Sequence, residues 1–216
     1  MNWVFFDVGG PIYNDDASVK EYYGLIRDYF GVTEERLQEL RMGGIHGRVS
    51  SVHRHVIRKL AGSEQEYKNA YREIKKKRRD NELQVLREGI VETLEALKQK
   101  GYGLGILANQ PPEIRERLEA DGLLKFFGVV VISEEVGASK PNKRIFEIAF
   151  ERAGAEPGDC WFVGDRVGND IIPAKKMGMK TIRLRVGCDH SHDEAKSPEE
   201  KADHEVKTLA EMLTFL

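Results

Sequence analysis

In Trp3-Val4-Phe5-Phe6-Asp7-Val8-Gly9-Gly10-Pro11 four apolar residues stop at an aspartate, and a Gly-Gly-Pro turn follows. A short apolar run bounded by turn residues reads as a strand buried on both faces. The design recurs where Leu104 to Ala108 ends at Asn109 and where Cys160 to Val163 ends at Gly164-Asp165. Val129 to Ile132 and Thr181 to Leu184 read as further strands without such an ending. Helical patterns separate the last four runs. In one, Ile90, Val91, Leu94 and Leu97 recur at helical spacing before Gly101 as a stop. In another, Pro141 reads as a first-turn proline, Ile145, Phe146, Ala149 and Phe150 form one face, and Gly154 closes the helix. Strands alternating with helices predict an α/β fold, a Rossmann-like three-layer sandwich around a parallel sheet. Ligands of such sheets bind beyond the carboxyl ends of the strands. The polar residues ending three runs are therefore site candidates.

Residues 15–87 break this rhythm. Ser18-Val19-Lys20-Glu21 and Ser63-Glu64-Gln65-Glu66 read as capping boxes, Gly31 and Gly62 as helix stops, and Thr33-Glu34-Glu35 as a helix start. With no convincing strand in it, the segment reads as an all-helical insertion after the first strand. The expected division is a core of residues 1–14 and 88–216 and an inserted unit of residues 15–87.

The balance of 34 basic and 36 acidic residues gives no global field that demands nucleic acid or a membrane surface. No apolar run approaches the roughly 20 residues that span a bilayer. The start of the chain shows no basic n-region, and two cysteines lack metal-like spacing, so a cytoplasmic protein is expected.

Three segments carry candidate chemistry. Asp7 ends the first strand. Val163-Gly164-Asp165-Arg166-Val167-Gly168-Asn169-Asp170 sets two carboxylates five residues apart around a glycine-containing turn. Ser139-Lys140-Pro141 holds a lysine just before a helix. Taken singly, each has a bland reading: a turn aspartate, a helix cap, a surface charge. Together and in this order they resemble the haloacid dehalogenase superfamily, in the subfamily with a helical cap between the first and second motifs. The resemblance runs from Trp3 to the closing Ala202-Asp203-His204-Glu205-Val206 and Leu209. It implies a magnesium-dependent phosphohydrolase acting on a small phosphorylated metabolite through an aspartyl-phosphate. By that resemblance Asp7 is the nucleophile, and Lys140 steadies the charge of nucleophile and phosphate. Asp7, the Gly9 carbonyl, Asp165 and Asp170 are the implied magnesium ligands. Gly10, Asn109 and the cap residue Arg48 are the candidate substrate contacts.

The sequence departs from that family twice. Gly9 stands where phosphatases of the family carry a second aspartate as general acid and base. Such help is worth about 10²–10⁴ in rate, so the loss bears hardest on poor leaving groups. Asp15 and Asp16 are the nearest substitutes. Ala108, followed by Asn109, stands where a serine or threonine usually binds phosphate. These departures keep open a different class, a catalytically weak phosphate-binding regulatory or interaction protein. Relatives that lack the acid include dehalogenases and phosphonate hydrolases. The latter use a cap lysine, and Glu21 to Arg58 contains none.

Other signals weigh less. Lys75 to Arg79 is a basic run that reads as a solvated helix face, with nucleic-acid binding as its alternative. His53 and His55 read as helix surface or interior. Cys188-Asp189-His190-Ser191-His192-Asp193 offers soft-metal ligands but reads as an empty loop.

Overall fold

The computed structural model describes residues 1–49 and 51–216. Six strands, β1 Trp3–Phe6, β2 Gly103–Ala108, β3 Val129–Ile132, β4 Cys160–Gly164, β5 Lys180–Leu184 and β6 His204–Val206, form one sheet. Their spatial order is β3-β2-β1-β4-β5-β6, and every neighbouring pair is parallel. The order reverses between β1 and β4, so the chain leaves those two strands in opposite directions and a crevice opens at their carboxyl ends. Asp7 follows β1 and Asp165 follows β4 at that place.

Apolar side chains cover both faces, which is why the strands read as nearly unbroken hydrophobic runs. Val4, Phe6, Leu104, Ile106, Val163 and Ile182 pack with Leu94 and Leu97 of the helix Ile90–Gln99. On the other face Phe5, Leu107, Val131 and Phe162 pack with Ile145, Phe146 and Ala149 of the helix Lys143–Ala153. Gly105 has a packing reason, since a Cβ there would stand 2.4 Å from the Phe5 ring.

The chain divides into two compact units. The first holds the sheet: Met1–Tyr13, Leu86–Val186 and Ala195–Leu216. The second, Asn14–Val85 with Gly187–Glu194, is built on the helices Asp16–Phe30, Glu34–His46, Val52–Leu60 and Glu64–Lys77. Its own core joins Tyr22, Tyr23, Ile26, Leu37, Val56, Ile57, Ala70 and Ile74. Segments at the two junctions, Tyr13–Asn14 and Val85–Leu86, pair as a short ribbon.

This division falls one or two residues from the expected junctions and groups residues 187–194 with the helical unit. The reason is polar. Asp189 accepts the Tyr23 hydroxyl at 2.6 Å and Arg41 Nη2 at 2.9 Å, Asp16 accepts the Cys188 amide at 2.6 Å, and Arg48 Nη2 donates to the Glu194 carbonyl at 2.9 Å.

Local starts and stops follow their chemistry with two corrections. Gly31 and Gly154 close their helices in the left-handed conformation, and Thr33 and Ser63 accept the N–H three residues on. Ser18, however, lies inside a helix that begins at Asp16, and its presumed partner Glu21 instead binds Arg79. Pro141 precedes the helix: Asn142 is the cap, accepting the Arg144 amide at 2.9 Å. The β6 strand was not read from sequence, because three residues are too few to show alternation.

Candidate active site

Backbone geometry delivers the first carboxylate. The Asp7 amide donates to the Val163 carbonyl at 2.9 Å, tying the end of β1 to β4. The chain then turns tightly, with the Ile12 and Tyr13 amides both on the Val8 carbonyl and the Gly10 amide on the Tyr13 carbonyl. Gly10 has φ +86°, and a Cβ there would stand 2.8 Å from Asp165 Cγ. Glycine thus meets two demands at once, a left-handed backbone and room for a neighbouring carboxylate. Gly164 has the second of these demands. Its Cβ would lie 2.4 Å from Asp170 Cβ.

Asp165 precedes and Asp170 lies within the π-type turn Val167–Ile171, which leads into the helix Ile172–Lys176. Asp170 is fully buried; its Oδ2 accepts the amides of Arg166 at 3.0 Å and Asp165 at 3.3 Å. Its Oδ1 lies 2.6 Å from Lys140 Nζ, and the same ammonium is 3.0 Å from Asp7 Oδ1. Lys140 is buried, with its Nζ 4.9 Å from the centre of the Phe162 ring.

Burial works against the Lys140 charge, but Asp170 and Asp7 outweigh it and hold the ammonium's pKa above its ordinary value. Burial likewise pushes the Asp170 carboxyl up, and Lys140 together with the Arg166 amide more than reverses this. For Asp7 the balance falls the other way. Burial raises its carboxyl, Lys140 opposes it, and the negative Asp170 adds to the rise.

Among the described residues, Asp7, Asp165 and Asp170 each offer one carboxylate oxygen such that all three atoms lie within 4.8 Å of one another. Oxygens on one magnesium ion are at most about 4.2 Å apart, a spacing close to that upper bound, so the set suits a single hard cation. Three carboxylates and one ammonium leave a charge of minus two for a divalent ion to neutralise. The donor chemistry fits magnesium, and such a cation would lower the Asp7 carboxyl that burial raises.

Four sequence candidates thus converge: Asp7, Lys140, Asp165 and Asp170. Gly9 lies in the same turn, bridged to Tyr13. The other candidate substrate contacts are engaged within the protein. The Gly10 carbonyl accepts Arg87 Nε, and Asn109 hydrogen-bonds the Lys140 main chain. Arg48 faces Asp193 at 3.5 Å and the Glu194 carbonyl inside the helical unit. Asp16, a candidate substitute acid, accepts the Cys188 amide. In the loop with soft-metal ligands, Asp189 and Asp193 face arginines instead, while the Ser191 side chain lies outside the described residues. In the basic run, Lys76 pairs with Glu73, Arg79 pairs with Glu21 and Arg78 stacks on Tyr22. His53 lies between the Tyr22 and Tyr23 rings.

Two residues near the carboxylates were missed. Arg87 supports the turn after Asp7 through Gly10, and no local pattern announced it. Arg183, fully buried on β5, donates Nε to the Asp165 carbonyl at 3.3 Å and faces Glu205 at 3.4 Å. Its signal was an arginine set between Ile182 and Leu184.

Comparison with known proteins agrees with this geometry. The family model of haloacid dehalogenase-like hydrolases matches residues 1–178. A glyceraldehyde 3-phosphate phosphatase of Methanopyrus kandleri is 36% identical over 125 residues, 57% of this chain and 53% of the relative. A phosphoglycolate phosphatase of Escherichia coli is 36% identical over 102 residues, 47% of this chain and 40% of the relative. The chain thus spans about half the length of the curated relatives it matches. The crystal structure of a HAD phosphatase from Thermococcus onnurineus superposes with a TM-score of 0.67 at 28% identity, covering 99% of this chain and 97% of that one. A subfamily IA hydrolase from Geobacter sulfurreducens, at 21% identity, shares the fold with a TM-score of 0.70, covering 99% and 95%. No helix among the described residues is long and apolar enough to cross a membrane.

Proposed function

The chain belongs to the haloacid dehalogenase-like hydrolases, and on that premise we propose that it is a magnesium-dependent phosphatase of small phosphorylated metabolites, working through an aspartyl-phosphate at Asp7. The observation that carries the reading is the meeting of Asp7, Asp165 and Asp170 around one ion-sized space, with Lys140 bonded to two of them.

Electrostatics sets the division of labour. A carboxylate approaching a phosphate dianion at about 4 Å meets a repulsion of roughly 8 kcal/mol at an effective dielectric near 20. Asp7, Asp165, Asp170 and the Gly9 carbonyl would hold magnesium, whose charge would offset this and stabilise the transferring group. Lys140 adds a fixed ammonium beside the attacking oxygen of Asp7. Asp170 holds that ammonium in place and ties the Asp165 turn together by its two backbone acceptances. Asp7 attacks phosphorus, the leaving-group oxygen departs with the bonding pair, and water then displaces phosphate from the carboxyl.

Gly9 supplies no proton for the departing oxygen. Acyl phosphates, aryl phosphates and phosphoanhydrides, which leave readily, are therefore the favoured substrates over sugar phosphates. The phosphatases among the relatives support the reaction class and leave the substrate open.

The test is release of phosphate from p-nitrophenyl phosphate by the purified protein. Turnover should require magnesium, vanish on chelation and vanish in Asp7→Asn. Turnover that persists in Asp7→Asn would remove the mechanism.

A further inference from the structure

Lys140 carries its charge on a four-carbon stem with several rotamers, yet it must place one nitrogen against two carboxylates, 3.0 Å from Asp7 and 2.6 Å from Asp170. Its own main chain lies outside regular structure, in the turn between the helices Ser133–Val136 and Lys143–Ala153. No strand or helix ladder fixes the root of the side chain. Something else has to.

That root is held by one amide. The Lys140 N–H donates to Asn109 Oδ1 at 2.8 Å, and Asn109 Nδ2 donates to the Lys140 carbonyl at 2.9 Å. The pairing also settles which way the amide points, because the N–H needs an acceptor and the carbonyl needs a donor. Among side chains of this length only asparagine presents both: aspartate lacks the donor and serine is too short to span the two groups. The anchor is rigid, since Asn109 directly follows β2, whose last residue Ala108 is fully buried and paired in register with Ile132 of β3.

We propose that Asn109 is a positioning residue for Lys140, fixing the lysine's main chain so that its ammonium stands between Asp7 and Asp170. This rests on the reading of Asp7 as nucleophile and Lys140 as its counter-ion. It gives the residue after β2 a different task from the phosphate contact implied by resemblance, and it explains how the site keeps its order beside Ala108. Asn109 itself is exposed, so its replacement leaves the core intact.

A double-mutant cycle tests this, using Asn109→Ala, Lys140→Ala and the pair, with 2,4-dinitrophenyl phosphate as substrate so that the Lys140→Ala rate stays measurable. Asn109→Ala should lower kcat by about 10²-fold, the scale of a displacement near 1 Å, with KM changed less than threefold. Asn109→Asp, which keeps the acceptor for the Lys140 amide, should fall between the wild type and Asn109→Ala. In the Lys140→Ala background, Asn109→Ala should add less than a twofold further loss. Magnesium affinity, titrated in a calorimeter for the same four proteins, should show the same lack of additivity.

An equal loss in both backgrounds would overturn the proposal. So would an unchanged kcat with raised KM and weakened inhibition by inorganic phosphate, which would make Asn109 a phosphate contact. Asp7→Asn run alongside separates the two levels. Turnover in that variant defeats the parent reading, whereas additivity with an inactive Asp7→Asn defeats only the role of Asn109.

Discussion

Replacing Gly164 by alanine adds a single methyl group at the point where the site has least room. The new Cβ would stand 2.4 Å from Asp170 Cβ and 2.7 Å from its Cγ and Oδ2. Ordinary carbon contacts begin near 3.5 Å, so Asp170 must retreat by about 1 Å. It is fully buried, with Oδ1 on Lys140 and Oδ2 on two backbone amides, and none of these contacts survives such a shift unchanged. Gly164 has no positive φ, so the alanine carries no backbone penalty and the effect is purely steric. Overpacking of this kind costs about 1–3 kcal/mol in stability. Displacing a group of the catalytic constellation by about 1 Å costs roughly 10²-fold in rate. Magnesium-dependent release of p-nitrophenol, followed beside a urea melt, should show both losses. Gly24→Ala is the internal control, because nothing lies within 4 Å of a Cβ there and Gly24 sits inside the helix Asp16–Phe30. That change should stabilise by about 0.5–1 kcal/mol and leave the rate alone. A Gly164→Ala protein with wild-type kcat would refute the claim that Asp170 is held in one functional position.

Two further predictions concern stability. Gly105→Ala places a methyl group 2.4 Å from the Phe5 ring in the centre of the sheet and should cost about 1–3 kcal/mol in a denaturant titration; a loss under 0.5 would show that the ring yields freely. In the helical unit, burial raises the Asp189 carboxyl, but the Tyr23 hydroxyl, Arg41 and the nearby His53 outweigh it and hold its pKa below the ordinary carboxylate value. A carboxyl lowered in the folded state contributes stability above its unfolded pKa and loses it as pH falls through the folded value. Asp189→Asn should therefore cost about 3 kcal/mol at neutral pH, and the gap to wild type should close as pH falls below about 4. A gap independent of pH would contradict the charge-based account.

The parallel sheet and the acidic site were legible because both rest on local patterns. Strands buried on both faces are largely apolar, and the polar residues that end them face the crevice, so the sequence alone places Asp7 and Asp165 there. Side-chain competition was hidden. Ser18 and Glu21 have the spacing of a capping box, yet Glu21 binds Arg79, 58 positions away. Asn109 has the position of a phosphate donor, yet its amide is used by a main chain 31 positions on. The segment 187–194 joined the helical unit through Asp189, whose partners Tyr23 and Arg41 lie far back in the sequence. Each of these outcomes depends on long-range partners that periodicity does not encode.

On this reading three carboxylates share one divalent ion. Magnesium titrated calorimetrically into the wild-type protein should bind at one site per chain, and Asp165→Asn should abolish that binding over the same concentration range. An unchanged isotherm in Asp165→Asn would contradict the account.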